Sequence, residues 1–151
     1  DQFEDKGAPV SATTLEGLIK DHLLGYERII AVGLASAEGS AADEEGRAKR
    51  RAEQLAEWLL SIAPRIQNIW TLNLGKHAGS CRDCTDADSA AQRPLVLIGL
   101  IQYDVEVDVR AALLDALKSD PRLLPIERYT RFDLQRFSFS ERNRKRGARI
   151  R

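Results

Sequence analysis

The feature that most constrains the fold of this chain is an apolar run, RIIAVGLA at 28–35, that leads into a long amphipathic pattern. The run is rich in β-branched residues, which is typical of a strand buried on both faces of a sheet. Behind it, apolar residues recur at helical spacing, namely Ala48, Ala52, Leu55, Ala56, Leu59 and Leu60. This stripe predicts a helix whose end is limited by Pro64, so a helix is expected to pack beside the buried strand.

The remaining segments alternate between helix and strand patterns. Helices are predicted at about 14–25 and before Pro121, and strands at 68–75, 94–103 and 126–132. The segment 75–92 is rich in Gly, Ser, Asp and Cys without periodicity, and is predicted to be a loop. This order predicts an α/β fold class, an α+β sandwich in which helices pack on one face of a small mixed sheet, with a C-terminal helix and strand as an extension.

Length and charge fit a single soluble domain of ordinary composition. The chain has 151 residues, and Lys plus Arg number 23, as do Asp plus Glu, so the net charge predicts no nucleic-acid partner. The segment 140–151 departs from this balance because it is basic, and it is predicted to be a disordered tail that leaves 1–139 as the domain. No apolar run approaches the roughly 20 residues of a membrane span. Membrane tethering is therefore expected only through a segment that preceded Asp1.

The strand, loop and helix at 28–60 resemble the central motif of OmpA-like peptidoglycan-associating domains. In that family an apolar strand ends in V-x-G-H-T-D-x-x-G, and N-x-x-L-S-x-x-R-A and an amphipathic helix follow. Four residues align with the two glycines and the R-A pair of the family without a gap, namely Gly33, Gly39, Arg51 and Ala52. The segment AQRPLVLIGL stands where the family has N-R-R-V-x-I-x-I. The resemblance thus covers a core of about 3–103 and leaves 104–139 as the extension.

The resemblance implies a non-catalytic, periplasmic domain that binds peptidoglycan. In the family, the aspartate of the T-D pair holds the ammonium of diaminopimelate, and the arginine of the R-A pair holds its carboxylate. Here Arg51 keeps the arginine position and is expected to face the end of the strand at 28–35, but Ser36 occupies the aspartate position. A hydroxyl carries no charge, and loss of a charged partner in a partly buried site costs about 2–5 kcal/mol.

Because Ser36 replaces the aspartate, the sequence predicts altered binding, either of a changed wall ligand or of an envelope protein. Glu38, Asp43 and Glu44 are acidic residues near enough in sequence to supply the missing charge, and Glu38 and Glu44 are taken as the ligand-binding candidates. Arg93 aligns with a family arginine that is largely structural and lies near the ligand loop. The predicted ligand-binding residues are therefore Ser36, Glu38, Glu44, Arg51 and Arg93, with no catalytic residue and no cofactor.

A second candidate site lies in the pattern H-x3-C-x2-C formed by His77, Cys81 and Cys84. The pattern leaves three alternatives open: a local disulfide, two free thiols, or a metal site. A metal site would take its fourth ligand from Asp86, Asp88 or His22. The periplasmic location implied by the OmpA-like resemblance favours a disulfide between Cys81 and Cys84. The alternative function is that of a small metal- or thiol-dependent protein using these three residues.

Overall fold

The computed structural model describes residues 2–5, 8–23, 25–26, 28–63, 66, 68–80, 83–100 and 108–137. Its elements in chain order are β1 (Gln2–Asp5), β2 (Ala8–Ser11), α1 (Ala12–His22), β3 (Arg28–Ala35), α2 (Ala41–Ile62), β4 (Asn68–Lys76), α3 (Asp86–Ala91), β5 (Val96–Gly99), α4 (Val109–Ser119), a 3₁₀ helix η1 (Ile126–Arg128) and β6 (Asp133–Arg136).

Four of the strands form one mixed sheet in the order β5-β3-β4-β6. The central strands β3 and β4 are parallel, whereas β5 and β6 run antiparallel to their neighbours. Strands β1 and β2 form a separate antiparallel hairpin. The predicted α/β fold class, a small mixed sheet with packed helices, is therefore confirmed.

Successive side chains of β3 point to opposite faces of the sheet, and both faces are covered by packed residues. On one face, Ile29 and Ala31 pack with residues of α1, α2 and β4 in a buried cluster: Ile19, Ile29, Ala31, Leu55, Ala56, Leu59, Ala63, Ile66 and Ile69. On the other face, Ile30, Val32 and Leu34 pack with α4 and η1 in a second cluster: Ile30, Val32, Leu34, Trp70, Leu72, Leu74, Leu113, Leu117, Leu124 and Ile126. Helices α1 and α2 thus share one face, and the C-terminal extension covers the other.

Helix α2 lies unusually close to β3, because small residues face one another at the contact. A Cβ atom on Gly33 would overlap the carbonyl oxygen of Ala48 and would come 2.9 Å from the backbone nitrogen of Ala52. Ala48 and Ala52 are themselves fully buried. This close approach holds the N-terminal half of α2 beside the end of β3, where the candidate site lies.

Three expectations about local structure were wrong or incomplete. The segment 75–92 contains a helix, α3, which a capping box between Thr85 and Asp88 begins. In place of a strand over 126–132, the chain forms η1 and then strand β6, which pairs with β4. The N-terminal hairpin was not predicted at all. The tail 140–151 lies outside the described residues, and its disorder stays a prediction.

Candidate functional site

The candidate site lies at the carboxyl end of β3, around the loop 36–40 that joins β3 to α2. Because β3 and β4 are parallel, their carboxyl ends lie at the same edge of the sheet, which is where ligands commonly bind in parallel α/β units. Ser40 caps α2 by accepting a hydrogen bond from the backbone N–H of Asp43 at 3.2 Å. Helix α2 therefore begins directly after Ser40.

Arg51 points from α2 toward the end of β3, as the sequence predicted. Its Nη1 donates a hydrogen bond of 2.7 Å to the backbone carbonyl oxygen of Leu34. The side chain is half-buried. The guanidinium therefore places a positive charge next to the loop.

Ser36 and Glu38 lie on the loop itself and are adjacent in space. Ser36 is 5% exposed, and its hydroxyl lies 3.5 Å from Glu38 Oε2, a long contact for a hydrogen bond. A stronger contact comes from α3, where the Ser89 hydroxyl donates to Glu38 Oε1. Glu38 is an exposed residue, and an ionised carboxylate offers about four acceptor positions, so it can accept from a ligand as well as from two hydroxyls. The negative charge that position 36 lacks is thus present two residues later.

Glu44, the other acidic candidate, has a different position. It is 1% exposed, and its Oε1 forms an ion pair with Nη1 of Arg47. The carboxylate also packs against Gly39, where a Cβ atom would overlap it. Glu44 is therefore a buried residue that packs against the loop at Gly39. Of the two acidic candidates, Glu38 is the one that solvent and a ligand can reach.

Lys76 is a second cation that contacts the loop, and the sequence did not indicate it. Nζ of Lys76, the last residue of β4, donates a hydrogen bond of 2.6 Å to the carbonyl oxygen of Gly39. In the parallel ladder Lys76 lies opposite Ala35, just before the loop. The sequence signal was weak because Ala35 and Lys76 are 41 positions apart in the chain and become neighbours only through strand pairing.

Helix α3 also contacts the loop 36–40. Gln92, its C-terminal cap, accepts a hydrogen bond of 2.9 Å from the backbone N–H of Ala37 through Oε1. The carbonyl oxygen of Gln92 accepts in turn from the Tyr129 hydroxyl at 2.5 Å. Arg93 follows Gln92 directly and is half-buried, so this predicted residue lies on the α3 side of the site.

In the second predicted site, His77 contacts the backbone and an aromatic ring. His77 Nδ1 accepts a hydrogen bond of 3.0 Å from the backbone N–H of Gly79, and its ring packs edge-on against Tyr129 with centroids 5.3 Å apart. Burial, and then the charge of Arg128, lowers the pKa of His77. Within the described residues, no group of three or more His, Cys, Asp and Glu side chains is placed to hold a metal ion.

Cys84 is disulfide-bonded and therefore provides no thiolate. Cys81, the second of the two cysteines in the chain, lies outside the described residues. The predicted pairing of Cys81 with Cys84 stays a prediction. The alternative of a metal- or thiol-dependent function likewise stays a prediction.

Comparison of the chain with protein-family models, with curated proteins and with solved structures found no match. The OmpA-like resemblance therefore depends on the motif residues quoted above. Among the described residues, no helix has both the length and the apolar character needed to cross a membrane.

Proposed function

We propose that this chain is a non-catalytic binding domain of the OmpA-like type, which acts on the periplasmic side of the cell envelope. Its ligand is a peptide group that carries both an ammonium and a carboxylate, on the wall or on an envelope protein. The observation that carries the proposal is the placement of an exposed carboxylate, Glu38, and a half-buried guanidinium, Arg51, at the carboxyl end of one strand.

The contacts of these two charged residues support recognition of such a group. Arg51 is bonded to the carbonyl oxygen of Leu34, and the Glu38 carboxylate lies beside the hydroxyl of Ser36. Leu34 and Ser36 are two residues apart, so both contacts lie at the carboxyl end of β3. A small amino-acid group bound there can form one charge-assisted hydrogen bond of about 2.8 Å to each charge.

The same geometry supports binding rather than catalysis at Ser36. The serine is buried, and its hydroxyl is directed to Glu38 instead of toward an imidazole base. His77, the histidine nearest in the fold, uses Nδ1 to accept from Gly79. A serine nucleophile needs a positioned general base and an exposed hydroxyl, and neither condition is met by these contacts.

The test of this proposal is a titration of the 15N-labelled chain with a soluble muropeptide that contains diaminopimelate. We expect amide shifts confined to the loop 36–40 and the adjacent part of α2. Arg51→Ala and Glu38→Gln should each weaken binding by about 30-fold, the lower end of the range for losing a charged partner, because both residues are partly exposed to solvent.

Matched controls separate a site effect from a general charge effect. Arg122→Ala removes an exposed arginine in the turn after α4, and Glu16→Gln removes an acid on α1 that pairs with Lys20. Both variants should bind as the unmodified chain does. The absence of any amide shift at millimolar muropeptide would contradict wall binding.

A further inference from the structure

Helix α3, which the sequence did not reveal, contacts the loop 36–40 through two side chains. Ser89 donates to the carboxylate of Glu38, and Gln92 accepts from the backbone N–H of Ala37. These partners are 51 and 55 residues apart in the chain. Neither contact belongs to the strand–loop–helix motif that pointed to the site, so α3 adds residues that the motif does not contain.

The Gln92 contact fixes the loop at Ala37. Ala37 is 7% exposed, and a buried backbone N–H that lacks an acceptor is strongly unfavourable. The amide oxygen of Gln92 provides this acceptor at 2.9 Å. Because Ala37 lies between Ser36 and Glu38, fixing its N–H also fixes where the carboxylate of Glu38 leaves the backbone.

Gln92 is in turn held by the C-terminal extension. The hydroxyl of Tyr129 donates to the backbone carbonyl oxygen of Gln92 at 2.5 Å, while its ring packs against His77. Residues 77 and 129 also form an antiparallel bridge, so the backbone of Tyr129 is fixed to the end of β4. Burial raises the pKa of Tyr129 to about 12, so the phenol remains a hydrogen-bond donor at neutral pH.

We propose that Gln92 and Tyr129 are positioning residues of the candidate site. Tyr129 holds Gln92, Gln92 holds the loop at Ala37, and Ser89 holds the carboxylate that this loop carries. The identity of the ligand in this inference rests on the proposed function. It assigns the C-terminal extension, which lies beyond the OmpA-like resemblance, a direct part in shaping the binding site.

The experiment compares two pairs of variants in the intact 15N-labelled chain, with the exchange rate of the Ala37 amide and the muropeptide Kd as separate measurements. Gln92→Ala removes the acceptor, and we expect both Ala37 exchange and Kd to rise by about tenfold, the effect of one net hydrogen bond. Gln92→Glu retains an acceptor oxygen and should keep Ala37 exchange near that of the unmodified chain. This rescue is not expected if the residue merely fills space.

The second pair tests the role of the extension. Tyr129→Phe keeps the ring against His77 and removes the donor to Gln92, so Ala37 exchange and Kd should both rise by about threefold, less than for the direct contact. Tyr26→Phe is the matched control, because the ring of Tyr26 covers Gly99 at the opposite end of the sheet. It should leave both quantities unchanged.

The outcomes separate this inference from the proposed function. If the unmodified chain binds no muropeptide but Gln92→Ala still exposes the Ala37 amide, the positioning role stands and wall binding fails. Unchanged Ala37 exchange in Gln92→Ala overturns the positioning role, whatever the affinity does. If Gln92→Ala prevents folding, the milder Tyr129→Phe decides, and equal behaviour of Tyr129→Phe and Tyr26→Phe overturns the inference.

Discussion

His77 lies next to the candidate site, and its surroundings shift its pKa. It follows β4 directly, contacts the ring of Tyr129 and accepts from Gly79 through Nδ1. Protonation would remove this acceptor and place a second positive charge near Arg128. Burial and Arg128 accordingly lower the pKa of His77 below its ordinary value of 6.5.

The first prediction concerns the dependence of stability on pH. As the pH falls below about 6.5, the unfolded chain binds a proton at His77 before the folded chain does, so the free energy of unfolding declines. The stabilisation is fully present above that pH. We expect urea unfolding at about pH 5.5 to show lower stability than at about pH 7.5, and His77→Gln to reduce this difference.

His22→Gln is the control, since His22 is exposed on α1 and lies apart from Tyr129 and Gly79 in the described contacts. This variant should retain the pH difference of the unmodified chain. An identical pH difference in His77→Gln and in the unmodified chain would contradict the role given to His77.

Ser36 and Glu38 show what the sequence revealed of individual site residues. The motif alignment located Ser36, Arg51 and the loop, because all three lie in one continuous stretch. It could not choose between Glu38 and Glu44, because the choice depends on burial: Glu44 turns inward to Arg47, whereas Glu38 is exposed. Residues brought in by strand pairing or by α3, such as Lys76 and Gln92, had no local signal.

Among the elements, the β3–α2 pair determines the geometry of the site. Gly33 lets the backbone of α2 approach β3 closely at Ala48 and Ala52. The approach brings Arg51, which precedes Ala52, within hydrogen-bonding distance of the Leu34 carbonyl oxygen. The glycine that marks the motif in the sequence is thus required by packing.

A prediction follows for this contact. Gly33→Ala would place a methyl group against the backbone of α2, which cannot move as a flexible side chain can. We expect a loss of about 3 kcal/mol or more in the free energy of unfolding, at the upper end for overpacking. Chemical denaturation measures the loss.

Gly46→Ala is the matched control on the same helix. Its Cβ would meet the flexible end of Arg50 at 3.4 Å, an ordinary contact. Replacing a helical glycine by alanine should stabilise the chain by about 0.5–1 kcal/mol. Similar stabilities of the two alanine variants would contradict the close packing of α2 on β3 at Gly33.

Elements differed in how well the sequence predicted them, for physical reasons. The bounds predicted for β3, 28–35, match the structure because the strand is buried on both faces and reads as a continuous apolar run. Helix α3 was missed because six residues are too few for a periodic pattern to appear. Its capping box, T-D-A-D, was present in the sequence and could have indicated it.

Across the whole molecule, the C-terminal extension is part of both the core and the site. Leu113 and Leu117 of α4 bury the second face of the sheet, and Tyr129 reaches back to Gln92. The sequence predicted a helix and strand beyond the resemblance, but gave no indication of which face they would cover. Packing on a central sheet is a long-range property, because both faces of β3 are equally apolar.

The central claim is that Glu38 supplies the negative charge that Ser36 lacks, opposite Arg51. The most direct measurement is the muropeptide Kd of three chains: the unmodified protein, Glu38→Gln, and Ser36→Asp combined with Glu38→Gln. The single variant should bind about 30-fold more weakly, and the double variant, which moves the charge to position 36, should return to within about threefold of the unmodified Kd. A double variant as weak as Glu38→Gln alone, or a Glu38→Gln variant that binds normally, would contradict the account.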